Sequence, residues 1–101
     1  MDIILDKMLS AMEEASGYTK DQLLSRDRSG QSLCPCRYFI WYHLHYNRKW
    51  SLSKIGREFS RDHATVYTGI QKVDGVMIGN PCYRKEQAIY DKFINNLIEE
   101  L

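Results

Sequence analysis

The sequence predicts an all-α fold in a single domain, and three observations predict it. Apolar residues recur at intervals of three and four along successive segments, and residues that cap helices stand in front of those segments. The 101-residue chain is also 44% hydrophobic and 12% aromatic with only 6 Gly and 2 Pro, enough to bury one core. About six helices result from this reading, and the aromatic content excludes a disordered chain. A membrane span needs about 20 consecutive apolar residues, whereas the longest uncharged aromatic-rich run, Tyr38 to Asn47, contains two histidines. The N-terminal Met-Asp-Ile-Ile-Leu-Asp-Lys shows no basic stretch ahead of an apolar one, so no secretory signal is visible and a cytoplasmic location is expected.

From Ile3 to Ala15, the residues Ile4, Leu5, Met8 and Met12 trace one apolar helix face, closed by Gly17. Thr19-Lys-Asp-Gln22 has the form of a capping box, in which the threonine hydroxyl accepts from the backbone and Gln22 reaches back. A short helix with Leu23 and Leu24 inward follows. Residues 26–33 lack periodicity, contain Ser-Gly, and read as an exposed loop carrying Arg26 and Arg28. Pro35 suits the first turn of the next helix, where its missing N–H is no loss. In that helix Phe39, Tyr42 or His43, Tyr46 and Trp50 recur at helical spacing. The aromatic content also fits a strand, so a period of two stays open for these residues.

Ser51 is the expected N-cap of a helix of about two turns, with Leu52, Ile55, Gly56 and Phe59 on one side. Only Ser60 and Arg61 separate it from the next cap, Asp62, whose carboxylate can accept from the N–H of Ala64 or Thr65. Val66, Ile70 and Val73 then form an inward stripe. Two short helices joined by a tight turn are a helix-turn-helix candidate. Asp74 to Gly79 reads as a linker. Asn80 and Pro81 supply the N-cap and first-turn proline of a terminal helix over residues 81–101. There Ile89 or Tyr90, Phe93, Leu97, Ile98 and Leu101 face one way. That stripe can complete the core or form a homodimer seam, and core completion is the commoner outcome.

Net charge is +1, but residues 26–72 hold 9 basic and 3 acidic side chains between two acidic ends. A basic centre of this kind is what a footprint on phosphates needs, although a solvated face of mixed charge also produces one. Cys34, Cys36 and Cys82 are odd in number and have no secretory context, which argues against disulfides. Cys34, Cys36, His43 and His45 have the donor types for zinc, yet the spacing is wrong. On a helix residues 43 and 45 point about 200° apart, and Cys-x-Cys is shorter than the usual zinc spacing. No metal, cofactor or nucleotide is expected. The same four residues are the only reactive set, and nothing in them places a nucleophile beside a base and an orienting carboxylate, so no enzyme is expected.

Residues 51–73 present Lys54, Arg57, Glu58, Arg61, Asp62, His63, Thr65, Thr68, Gly69 and Lys72 outward. In a major groove a carboxylate can accept from cytosine N4, an imidazole can donate or accept, and a threonine methyl can meet the thymine methyl. Arginines beside them can hold phosphates and so set the register. An equally simple reading leaves Asp62 as a cap and Thr65 as a surface residue.

Residues 51–66, Ser-Leu-Ser-Lys-Ile-Gly-Arg-Glu-Phe-Ser-Arg-Asp-His-Ala-Thr-Val, resemble the signature of the C-terminal DNA-binding domain of the bacterial replication initiator DnaA. That pattern runs Ser-Leu-x-x-Ile-Gly, then Phe, then Arg-Asp-His-x-Thr-Val. The likeness extends upstream through Leu23-Leu24-Ser25, Arg28 and Arg37, and downstream to Lys72-Val73, spanning residues 10–76. It implies a Trp-repressor-like helix-turn-helix and therefore favours helix over strand at residues 36–47. It further implies that Asp62, His63, Ala64, Thr65 and Thr68 meet bases in the major groove and that Arg28 enters the minor groove. Arg37, Ser51, Lys54, Arg57 and Arg61 would meet or flank phosphates, a task suited to charged donors.

The chain departs from the family in three places. Ser60 alone stands between Phe59 and Arg61 where the family commonly has two residues, often Gly-Gly. Thr68 replaces a frequent histidine, and Cys34-Pro35-Cys36 replaces a more basic stretch. There is no Gly-x4-Gly-Lys-Ser/Thr phosphate loop, so a double-stranded-DNA-binding protein without ATPase activity is expected, in the cytoplasm at the nucleoid. The alternative is a protein-interaction module that reuses this fold to bind the initiator or another protein through its terminal helix.

Overall fold

The structure, a computed structural model, describes residues 3–25, 33–77 and 80–100. Its elements follow the capping signals closely. α1 (Ile3–Ser16) ends where Gly17 takes a left-handed φ of 85°, a conformation that costs glycine little. α2 (Lys20–Leu24) opens on the capping box, with the Gln22 N–H donating to Thr19 Oγ1 at 3.1 Å and the Thr19 N–H donating to Gln22 Oε1 at 2.8 Å. Of the loop expected over residues 26–33, residues 26–32 with Arg26 and Arg28 lie outside the described residues, and Leu33 is corrected to the buried first residue of the next helix.

α3 (Leu33–Asn47) is helical where a strand was open, and among the described residues there is no strand. It touches α1, α2 and, once they are reached along the chain, α4 (Leu52–Phe59), α5 (His63–Lys72) and α6 (Arg84–Glu100). A helix surrounded in this way buries more than one stripe. Leu33, Cys36, Arg37, Phe39, Ile40, Trp41 and Leu44 are all buried. The expected stripe is therefore corrected: Tyr46 is exposed, and Trp50 lies past the helix end, where its N–H donates to the Leu44 carbonyl at 3.1 Å. Lys49, at a φ of 59°, turns the chain so that the Trp50 indole comes back to the core.

The expected linker after Val73 is corrected as well. Residues Val73–Met77 form a π-helical turn that prolongs α5 and buries both Val73 and Met77. The apolar pair at its ends holds this wide turn against the core, and the side-chain amide of Gln87 donates to the Met77 carbonyl at 2.7 Å. Asn80 then accepts from the Cys82 N–H at 3.0 Å, and Pro81–Tyr83 make a 3-10 turn leading into α6.

α6 packs mainly on α1, where Asn96 Nδ2 donates to the Ala11 carbonyl at 3.2 Å. Phe93 and Leu97 are buried, so this part of the stripe completes the core. Leu101 and the side chain of Ile98 lie outside the described residues. The described residues gather on one apolar cluster with a radius of gyration of 12.3 Å, close to the roughly 13 Å of a 100-residue domain. No helix among them is long and apolar enough to cross a membrane.

Candidate nucleic-acid interface

α4 and α5 meet through a turn as short as the sequence requires. Ser51 caps α4 by accepting from the Lys54 N–H at 3.1 Å. At the other end Ser60 adopts left-handed φ and ψ of 54° and 44°, and the Arg61 N–H donates to the Gly56 carbonyl at 2.8 Å. A Cβ on Gly56 would run into the Arg61 carbonyl oxygen, so glycine is what lets the turn fold back over α4. Asp62 then caps α5, its Oδ1 accepting from the Thr65 N–H at 2.7 Å. That backbone donor, helped by the Thr65 hydroxyl, holds the Asp62 carboxyl below the usual carboxylate range. It is an anion at neutral pH with lone pairs left over for further donors.

The back of α5 is buried through Val66, Gly69 and Ile70, and its front exposes Asp62, His63, Ala64 and Thr68, with Thr65 half-buried. Gly69, expected to face outward, is corrected: it faces the Trp41 and Tyr38 rings. A surface groove of about 350 Å³ runs along the front, lined by Tyr38, Asp62, Ala64, Thr65, Thr68, Gly69 and Lys72. Sequence reasoning brought together Asp62, Ala64, Thr65 and Thr68, and the fold sets them on one wall. His63 is exposed but does not line this groove. Tyr38 was missed, because only the packing of α3 on α5 carries its ring under the Lys72 ammonium, 5.7 Å away.

The cations divide into two groups. Arg57 is exposed on α4, and Lys54 lies 4.1 Å over the Trp50 ring with Ser51 beside it. Arg37 and Arg61 are instead turned toward the protein. Arg37 is only 2% exposed, so its expected phosphate contact is corrected: Nε donates to the Leu23 carbonyl at 2.9 Å and Nη2 to the Gln22 carbonyl at 2.7 Å. The last carbonyls of helix α2 have no partners of the continuing helix, and a planar fork of donors on α3 bonds those of Gln22 and Leu23. Arg61 Nη2 donates to the Ser25 carbonyl at 3.1 Å and Nη1 to the Phe59 carbonyl at 3.2 Å. Both arginines thus brace residues 22–25, from which the chain departs toward Arg28, itself outside the described residues.

The cysteines and histidines of α3 have separate surroundings. Burial pushes the Cys36 thiol up to about 11. His45 Nδ1 donates to the Trp50 carbonyl at 2.9 Å, while His43 sits beside Asn47 and edge-on to Phe93. No group of three metal-ligating side chains gathers among the described residues.

Against known families, residues 5–73 match the model described as the bacterial dnaA protein helix-turn-helix. No curated protein and no solved structure matches the chain.

Proposed function

The chain belongs to the bacterial DnaA helix-turn-helix family, whose C-terminal domain binds double-stranded DNA, and we propose that it does so sequence-specifically, as a regulator or replication accessory without ATPase activity. In this reading α5 enters the major groove. Asp62 accepts from cytosine N4, and His63, Ala64, Thr65 and Thr68 meet neighbouring base edges. Ser51, Lys54 and Arg57 lie along one phosphate backbone, and Arg61 holds the turn between them. Arg28 is the minor-groove residue, and the nucleoid is the site of action.

The observation that carries the reading is the two-sided character of α5. Val66, Gly69 and Ile70 fasten its back to the core, so the exposed Asp62, Ala64 and Thr68 are held in fixed positions on its front. A rigid row of side chains with differing chemistry suits base readout more than a merely solvated face. Selection from a randomised duplex library at moderate salt tests this, and enrichment of a defined motif is expected. Arg57→Gln should reduce the slope of log affinity against log salt by about 0.9. Equal weak affinity for all duplexes, or none at low salt, would end the reading.

A further inference from the structure

The side chains along the front of α5 differ in what they can still offer. The Thr68 hydroxyl donates to the Ala64 carbonyl at 2.9 Å, one helical turn back. The Thr65 hydroxyl is likewise engaged, on the Asp62 carboxylate. A hydroxyl has one proton, so neither threonine has a donor left for a base. Ala64 and Thr68 stand four residues apart, hence on one face, and both are exposed on the wall of the same groove. Ala64 offers only a methyl group. Thr68 offers a methyl group and an oxygen that can only accept. Gly69, next along the wall, offers no side chain at all. Between the carboxylate of Asp62 and the ammonium of Lys72, Ala64 and Thr68 thus offer two methyl groups and one oxygen that only accepts.

The one apolar group that base pairs display in the major groove is the thymine 5-methyl. We propose that Ala64 and Thr68 select thymine at two neighbouring positions of the target by packing their methyl groups against it, with the Thr68 hydroxyl serving the helix and not the base. This rests on the sequence-specific DNA-binding reading above and adds which base the centre of α5 prefers and through which atoms. Removing one methyl group from a packed contact corresponds to about a fourfold loss of affinity.

The test uses the full chain and the duplex enriched in the library selection, with each thymine replaced singly by deoxyuridine. Wild type should lose about fourfold at each of two neighbouring positions and nothing elsewhere. Thr68→Val, which keeps a methyl group and removes the oxygen, should retain that sensitivity. Thr68→Ser, which keeps the oxygen, should lose it at one position, and Ala64→Gly should lose it at the other, with circular dichroism melting confirming the fold. Indifference of the wild type to every deoxyuridine overturns the inference while leaving sequence-specific binding intact. So does sensitivity that survives in Thr68→Ser or vanishes in Thr68→Val, since the hydroxyl would then be the reader. A library that enriches no motif removes the DNA-reading premise and this inference with it.

Discussion

Gly69 brings α5 against Trp41 so closely that a Cβ built on it would stand 2.9 Å from both Cε3 and Cζ3 of the indole, and 2.6 Å from Cδ1 of Tyr38. The same indole meets Phe59 of α4 edge-on with centroids 5.7 Å apart. Both helices of the helix-turn-helix thus lean on one side chain of α3. Gly69→Ala should destabilise the protein by about 1–3 kcal/mol through overpacking, although alanine is the better helix former. Urea denaturation reads this directly, and a variant as stable as wild type would mean that the rings give way.

Arg37 is a buried cation whose guanidinium is held by the Leu23 and Gln22 carbonyls, with no carboxylate partner among the described residues. Removing the guanidinium leaves the Gln22 and Leu23 carbonyls without those donors. Arg37→Met should therefore cost about 3 kcal/mol of stability, and Arg37→Lys should recover little, because an ammonium cannot fork between two carbonyls. A phosphate-contacting surface residue would behave oppositely, with stability unchanged and affinity lower for every duplex. Denaturation and binding measured on the same variants separate the two.

Asp62 combines a cap with an outward acceptor, and the two roles can be parted. Asparagine also caps helices well, but presents an amide in place of the carboxylate. Asp62→Asn should melt close to wild type while losing about tenfold or more in affinity for the selected duplex, with little change on unrelated duplexes. Equal loss on both would assign Asp62 a general role in place of a base contact.

His43 is half-buried beside Phe93, and burial, with the Arg48 charge in second place, lowers its pKa from 6.5. The unfolded chain then binds a proton more readily than the folded one as pH falls through and below 6.5. Stability should rise with pH across that window and fall on acidification. The groups on this side of α6 are Tyr90 and Asp91, which line the same surface hollow as His43 and Asn47. Thermal melts from about pH 7.5 down to about pH 5 should show a smaller loss in His43→Gln than in wild type. An identical pH dependence in the two proteins would place the proton elsewhere.

Most local features were legible because their hydrogen bonds close within a few residues. Thr19, Ser51, Asp62 and Asn80 all act as the caps their positions suggested, each accepting from an N–H two or three residues ahead. Such bonds depend on the residue type and its immediate neighbours alone. The helix-turn-helix followed from them, since two caps so close in sequence leave room only for a tight turn. The wall formed by Asp62, Ala64, Thr65 and Thr68 followed from helical spacing in the same way.

What sequence reading did not foresee depends on partners far along the chain. The Arg37 guanidinium finds carbonyls 14 and 15 residues away, and Arg61 one 36 residues away. An arginine's type and local spacing are the same whether it ends at a phosphate or at a helix terminus. Gly69 reads as a surface position until α3 lies across it, and Tyr38 joins the groove only by that crossing. The sequence by itself thus determined the main helices, their caps and the tight turn between α4 and α5, because these are settled by short-range hydrogen bonding and periodicity. Tertiary structure alone decided which cations face solvent, which face of α3 is buried and how the groove beside α5 is closed, because helix packing pairs surfaces whose residues have no local knowledge of one another.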